Sequence, residues 1–436
     1  MTSAIPNITK LPELWAKIKF TLLVLVIYRV GAHIATPGVN VEAMASFIET
    51  TAQGTFLGLY DLFSGGGFSR ATVFALGIMP YISASIVFQL AGPVFPIIEK
   101  MQRDEEGKKR LTQWTRYLTV ALCVFQAYGF GLFAETGIPG AVADPGWSFR
   151  VTTVLTLTTG GVFVMWLGEQ ITERGIGNGM SLLIFFSIVE RLWPEILRTV
   201  EAVSSGTLSV PMLLVVLAFM VVVVGVTVAV IVAARRIPIQ IPRKVMGRGR
   251  IREGTKTFIP LRINSAGVMP IIFAQSIIIV PGTLASFTNL PWAQEIAQYF
   301  NVTSPLYIIT SSVLIVFFAY FYTSIIFNPV DLAENLKKQG GFIPGVKPGA
   351  ATADYIDDVL SRITLPGAVF LAAVAMLPIM VFNWLGMPFQ FGGTALLIVV
   401  GVALDTVQQI QQHMILRQYD GFMKEGRVKF RGRSRY

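Results

Sequence analysis

The sequence predicts an all-α polytopic membrane protein, with ten transmembrane helices in two inverted five-helix halves and one short re-entrant helix. Three observations predict this class. The 436-residue chain is 53% hydrophobic and only 14% charged, against about 25% charged in a typical soluble domain. Apolar runs of roughly membrane-spanning length, bounded by charges, Pro or Gly, recur ten times. Gly-x-Met-Pro also occurs twice, at Gly77 to Pro80 and Gly267 to Pro270, each time in the second helix of a set of five. An odd number of helices per half inserts the second half upside down relative to the first, and in such inverted repeats function sits between the halves near the midplane.

The ten helices are expected at 20–36, 72–98, 116–136, 151–172, 180–198, 211–234, 265–288, 305–329, 363–386 and 393–413. They group into an N-terminal half over 1–200, a C-terminal half over 201–413 and a basic tail over 414–436. The first run contains Arg29 and ends in Thr36-Pro37-Gly38 rather than a small-residue cleavage site, which marks a retained helix and not a signal peptide. Next comes an apolar stretch only about one short helix long, divided from helix 2 by Gly65, Gly66 and Gly67. It is too short to cross the bilayer, and irregular backbone at that depth survives only where protein or a water-filled cavity adjoins it. Residues 56–70 are therefore expected to be re-entrant. Pro80 and Pro270 are expected to kink helices 2 and 7, making those helices candidates for a moving wall.

Lys and Arg set the orientation. Of the 35 basic residues, 30 fall in the two termini and one set of alternate loops, so both termini and those loops are expected in the cytoplasm. The net charge of +10 is thus mostly topology. Two of these loops exceed what topology needs. Residues 235–262 alternate through Ile237, Ile239 and Ile241 and return past Gly247 and Gly249, which reads as a projecting hairpin. Residues 337–349, within the loop 330–362, are turn-rich and basic. A solvated face against anionic lipid and a docking site for a polyanion such as RNA, or for an acidic protein, both fit this character.

Much chemistry is absent. There is no Gly-x-x-x-x-Gly-Lys-Ser/Thr, no His-Glu-x-x-His and no Gly-x-Ser-x-Gly. Gly175-Ile-Gly-Asn-Gly179 follows a membrane helix rather than a strand, and it is expected to bend the chain into helix 5. Only His33 and His413 are present, and the single Cys123 can form no disulfide within the chain. No enzymatic role, cofactor or metal is expected. Charges at membrane depth are functional candidates by default. Arg29 in helix 1 and Asp405 in helix 10, acting as a proton relay, would make the chain a proton-coupled inverted-repeat secondary transporter. The bland alternative has Arg29 snorkelling outward and Asp405 facing a wet cavity. Gln89, Gln126 and Gln275 are expected either to meet in a weak polar seam or to make ordinary interhelical bonds.

Phe63-Ser-Gly-Gly-Gly-Phe-Ser-Arg70, Ala75-Leu-Gly-Ile-Met-Pro-Tyr-Ile-Ser-Ala-Ser85, Trp166-Leu-Gly-Glu-Gln-Ile-Thr-Glu-Arg-Gly-Ile-Gly-Asn-Gly179 and Phe342-Ile-Pro-Gly-Val-Lys-Pro-Gly349 resemble the SecY/Sec61-alpha family of translocase subunits, from the first helix to the tail. The resemblance implies the central pore-forming subunit of the general secretory translocon of the bacterial plasma membrane. Such a channel passes unfolded preproteins across the membrane and releases apolar helices sideways into it. It implies a plug, here Phe56, Leu59, Leu62, Phe63, Gly65, Gly66, Gly67 and Arg70. By motif position the apolar pore ring would be Ile78, Ile82, Met180, Ile184, Ile272 and Ile398, with Met180 in place of the usual isoleucine. Such a ring seals around any chain without bonding it and resists ions by dewetting. The implied lateral gate lies between helices 2 and 3 and helices 7 and 8, with Ser83, Ser85, Gln89, Gln126, Gln275 and Ser276 as candidate residues. Arg235, Arg236, Arg243, Lys244, Arg248, Arg250, Arg252, Lys337, Lys338 and Lys347 would dock the ribosome, through its RNA and proteins, and the SecA ATPase. Lys347 replaces the usual arginine and loses its bidentate fork. Further implied partners are SecE, SecG, signal sequences, nascent polypeptides and the lipid bilayer.

Overall fold

In the computed structural model, residues 12–50, 55–240, 244–246, 250–252, 256–264, 266–286, 301–302, 304–384 and 392–425 are described. The first half runs through α1 (Pro12–Gly31), α2 (Val41–Thr50), α3 (Phe56–Phe63), α4 (Met79–Val94), α5 (Pro96–Arg103), α6 (Glu105–Thr136), α7 (Trp147–Arg174) and α8 (Gly179–Ser204). The second half follows with α9 (Val210–Val232), strands β1 (Ala234–Gln240), β2 (Lys244–Met246), β3 (Arg250–Arg252) and β4 (Lys256–Arg262), then α10 (Met269–Ser286), α11 (Pro305–Ile326), α12 (Pro329–Lys338), α13 (Ala350–Trp384) and α14 (Gly393–Glu425). A helix occupies each of the ten expected stretches. By length and apolarity alone, six helices among the described residues can cross a membrane, and up to seven if α4 and α5 count as one bent span. The chain is thus a multi-pass helical membrane protein. α9 is the most apolar of these helices and largely unburied, as a lipid-facing helix must be.

Two expectations are corrected at the Gly-x-Met-Pro repeats. Helix 2 does not run over 72–98: residues 64–78 are turns apart from a bend at Gly66 and a bridge residue at Thr72, and the helix begins at Met79. Nor do Pro80 and Pro270 kink a helix interior. Each is the second residue of its helix, where the missing N–H costs nothing. Gly77 and Gly267 sit just ahead at φ +55° and +64°. The repeat is therefore a helix-start device used identically in both halves. The other end of helix 2 breaks at Phe95, which stands before Pro96 and takes extended φ/ψ of −112° and 112°. There α5 turns away from α4 by 108°.

The expected bend before helix 5 is present. Gly177 lies at φ +89°, and Asn178 caps α8 by accepting from the Met180 and Ser181 amides. The expected hairpin also forms. β1 pairs with β4, β2 with β3, and both ladders keep one antiparallel register that closes on Met246 and Arg250. A single apolar core runs through both halves, from Val24 and Tyr28 to Ile398 and Val402. A separate small cluster lies under the hairpin.

Candidate functional site

The re-entrant segment is a two-turn helix followed by a reversal. Ser64 ends α3, its N–H bonding the Tyr60 carbonyl at 3.0 Å, and its Oγ accepts from the Phe68 amide at 3.0 Å. Gly65 and Gly66, at φ +66° and +75°, then turn the chain back, a conformation open to glycine at little cost. Phe56, Leu59, Leu62 and Phe63 are all buried. A Cβ at Gly282 of α10 would fall 2.5 Å from the Phe56 ring, and one at Gly65 would fall 3.2 Å from Ser187 of α8. The helix is therefore wedged between one helix of each half.

Charges fasten it. Asp61, fully buried, accepts from the Ser69 amide at 2.7 Å and pairs with Arg191 of α8 at 3.0 Å. Arg70 donates to the Gly66 and Gly65 carbonyls at 3.1 and 3.2 Å and to Glu190 at 3.1 Å. Glu190 also pairs with Arg29. Arg70 meets His33 Nε2 at 3.0 Å, while His33 Nδ1 lies 2.9 Å from the Arg29 carbonyl. A tautomer with its hydrogen on Nδ1 satisfies both contacts. Of the five basic residues outside the basic-loop set, three converge here: Arg29, Arg70 and Arg191. Sequence reasoning missed Asp61, Glu190 and Arg191, although the rule that flagged Arg29, a charge inside an apolar helix, applies equally to Glu190 and Arg191. Arg29 does not snorkel, and no described group links it to Asp405. The latter is exposed on α14 and bonds Gln409 at 3.0 Å. A relay through the pair has no structural basis among the described residues.

Four of the six expected ring residues line one cavity of about 320 Å³: Ile82 from α4, Met180 and Ile184 from α8, and Ile272 from α10. Ile78 and Ile398 do not line it, but both are buried in the same core. The same cavity is also lined by polar groups, among them Arg116 and Glu169, which pair at 2.8 Å.

The three glutamines do not form one seam. Gln89 donates to Ser85 at 2.8 Å and accepts from Tyr322 of α11 at 2.5 Å. Gln126, on α6, lies 3.4 Å from the Tyr60 hydroxyl, and Gln275 accepts from Tyr307 at 3.1 Å. The Nε2 atoms of Gln126 and Gln275 are buried without a partner among the described residues. Ser83 donates to the Met79 carbonyl at 3.0 Å, within its own helix. Ser276 donates to the Ile272 carbonyl at 2.8 Å and lies 3.7 Å from the Met79 sulfur. Among the described contacts of these candidate residues, two cross between the halves: the Gln89–Tyr322 hydrogen bond and the 3.7 Å approach of Ser276 to the Met79 sulfur.

The two basic loops, separate in the sequence reading, are joined. Gln240 and Phe342 exchange backbone bonds of 2.9 and 3.0 Å, and Ile237, Ile239 and Leu261 pack with Leu336, Ile343 and Ile356. Arg235, Arg236, Lys337, Lys338 and Lys347 are exposed on this unit. The Arg236 guanidinium stacks 4.7 Å above the Phe258 ring, and Lys338 pairs with Glu334 at 3.5 Å. Lys244, Arg250 and Arg252 lie on β2 and β3. Arg243, Arg248 and the tail beyond Glu425 lie outside the described residues.

A family model described as SecY matches residues 72–407. The protein translocase subunit SecY of Aquifex aeolicus is 43% identical over 431 residues, covering 97% of this chain and 100% of that one. The protein of the same name from Thermus thermophilus is 44% identical over 446 residues, covering both chains completely. That of Escherichia coli is 42% identical over 430 residues and 97% of each chain. Among solved structures, a protein-conducting channel superposes with TM-score 0.67 at 18% identity, over 98% of this chain and 100% of the other. Sec61 from a canine ribosome–channel complex of the endoplasmic reticulum gives 0.61 at 17%, over the same shares. These structural likenesses carry the fold alone.

Proposed function

The chain belongs to the SecY family, and from that membership we propose that it is the pore-forming subunit of a protein translocase. It passes unfolded polypeptides across the bacterial plasma membrane and releases apolar segments sideways into lipid. Both termini and the basic unit of β1–β4 and α12 face the cytoplasm. Residues 56–70 close the pore, and Ile78, Ile82, Met180, Ile184, Ile272 and Ile398 form its waist. The face where α4 and α6 meet α10 and α11 is the lateral gate. The basic unit receives the ribosome or the SecA motor, while SecE and SecG complete the channel. No nucleotide motif is present in the chain, in keeping with a passive pore driven by partners.

The observation that carries this reading is that Ile82, Met180, Ile184 and Ile272, apolar side chains from both halves, meet on one cavity. Such walls seal around a chain of any sequence because they bond to none of it, and a dry constriction excludes ions. The test replaces Cys123 with Ala, places single cysteines at Ile82 and Ile272, and stalls a secretory precursor in the channel. Crosslinks from both positions to the stalled chain are expected. A precursor that is exported while contacting neither position would overturn the reading.

A further inference from the structure

Gln408, Gln409 and Gln412, with Asp405 one turn before them, form a single stripe on α14. A cavity of about 350 Å³ is lined by Arg262, Asp405, Gln408, Gln409, Gln412 and His413. It shares Arg262, Asp405 and Gln408 with a second cavity of about 210 Å³. That one shares Asn178, Ser181 and Met269 with the cavity holding Ile184 and Ile272. One wall therefore leads from open surface to the apolar waist, and it changes in order from glutamines, through Asn and Ser, to isoleucines. We propose that the stripe Gln408, Gln409 and Gln412 is a binding rail for the backbone of the unfolded passenger, an inference that rests on the translocase reading.

The chemistry is specific to primary amides. An extended passenger brings one N–H and one C=O per residue, and both must stay hydrogen-bonded as the chain leaves water for the apolar waist. A glutamine side chain donates and accepts at once, so it replaces that water whatever the passenger's sequence. Gln408 and Gln412 have no hydrogen-bond partner among the described residues, and Gln409 spends only its Nε2, on Asp405 at 3.0 Å. Among the described residues the two outer cavities are lined by one arginine, Arg262, and one carboxylate, Asp405, so this stretch of wall favours neither acidic nor basic passengers. Each bond merely replaces a bond to water, so the hold is weak and the passenger can slide on.

The test places a photo-crosslinking residue at Gln408, Gln412, Ile184 or Val407 in the assembled channel, engaged with a stalled secretory precursor. Val407 is 48% exposed on the opposite side of the helix. Adducts are expected from 408 and 412 at yields comparable to 184, and from 407 only at background. Adducts at 184 with background yields at 408 and 412 would overturn the rail and leave the pore standing. No adduct at 184 would overturn the pore reading itself. In a transport assay, Gln408→Leu/Gln412→Leu is expected to slow acidic and basic passengers alike by roughly three- to tenfold, while the double Asn variant keeps most of the rate. Equal rates in the Leu and Asn variants, or slowing confined to one charge class, would refute the amide role.

Discussion

Asp61 and Arg191 meet at 3.0 Å, the carboxylate wholly buried on the two-turn helix α3 and the guanidinium anchored on α8. The pair joins the re-entrant segment to the first half with a partner that neither water nor lipid can replace at low cost. Breaking a buried pair by removing one partner leaves an uncompensated charge, typically about 3–5 kcal/mol, and less here because Arg191 is a quarter exposed. Arg191→Gln is therefore expected to raise the open probability of the resting channel at least about tenfold in planar bilayers. Asp61→Asn/Arg191→Gln should leak less than Arg191→Gln alone, because the stranded carboxylate is gone. Identical conductance in wild type and Arg191→Gln would count against the latch.

Two glycines with similar backbone should respond differently to the same change. Gly66 and Gly267 both sit at positive φ, +75° and +64°, so an alanine at either carries a backbone strain of about 1 kcal/mol. At Gly267 no described residue lies within 4 Å of the added Cβ, whereas at Gly66 it would fall 2.7 Å from Arg70 Nη2. Gly66→Ala is expected to displace Arg70 from Glu190 and raise resting ion leak. Gly267→Ala should lower thermal stability slightly with the seal intact. Equal leak in the two variants would show that strain alone, not Arg70, governs the seal.

The residues themselves explain how far the sequence could be read. Apolar length exposed every long helix, because a lipid-facing run has no polar alternative, and alternation about Gly247 and Gly249 exposed the hairpin. What escaped depends on where side chains meet. Gly-x-Met-Pro looked like a kinked helix because apolar composition continues through residues 72–78, whereas the positive φ of Ala71 and Gly77 cannot be read from hydropathy. Gln89, Gln126 and Gln275 left a seam and ordinary interhelical bonds equally open, and the structure takes the second course: Gln89 accepts from Tyr322 and Gln275 from Tyr307, tyrosines that carry no signal in an apolar run, while Gln126 lies 3.4 Å from a Tyr60 hydroxyl that donates to the Leu76 carbonyl at 2.9 Å. The charge cluster around the re-entrant segment was half visible: Arg29 stood out, while Glu190 and Arg191 passed as helix.

Tyr322 donates to Gln89 across the two halves at 2.5 Å, and Gln89 keeps its bond to Ser85 when that donor is removed. Tyr322→Phe preserves the ring packed 5.0 Å from Phe273 and deletes only the hydroxyl. A net loss of about 0.5–1.5 kcal/mol from the closed gate is expected. In an export assay with signal sequences of graded hydrophobicity, the variant should accept weaker signals, shifting the threshold without changing the rate for strong ones. A raised threshold would mean that the hydroxyl serves the open gate instead.

The union of the two basic loops through Gln240 and Phe342 separates charge from shape. Reversing Arg243, Lys244, Arg248 and Arg250 to Glu changes charge alone. It is expected to weaken ribosome or motor binding and to flatten its salt dependence, since each lost phosphate contact removes about one unit from the slope. Ile239→Asp instead places a charge among Leu336, Ile343 and Ile356, in a cluster that the hairpin and α12–α13 build together. That change should loosen both loops at once, with binding lost at every salt concentration and protease cleavage appearing in both 235–262 and 337–349. Cleavage confined to the hairpin would show that the backbone bridge, not the shared core, holds the two loops together.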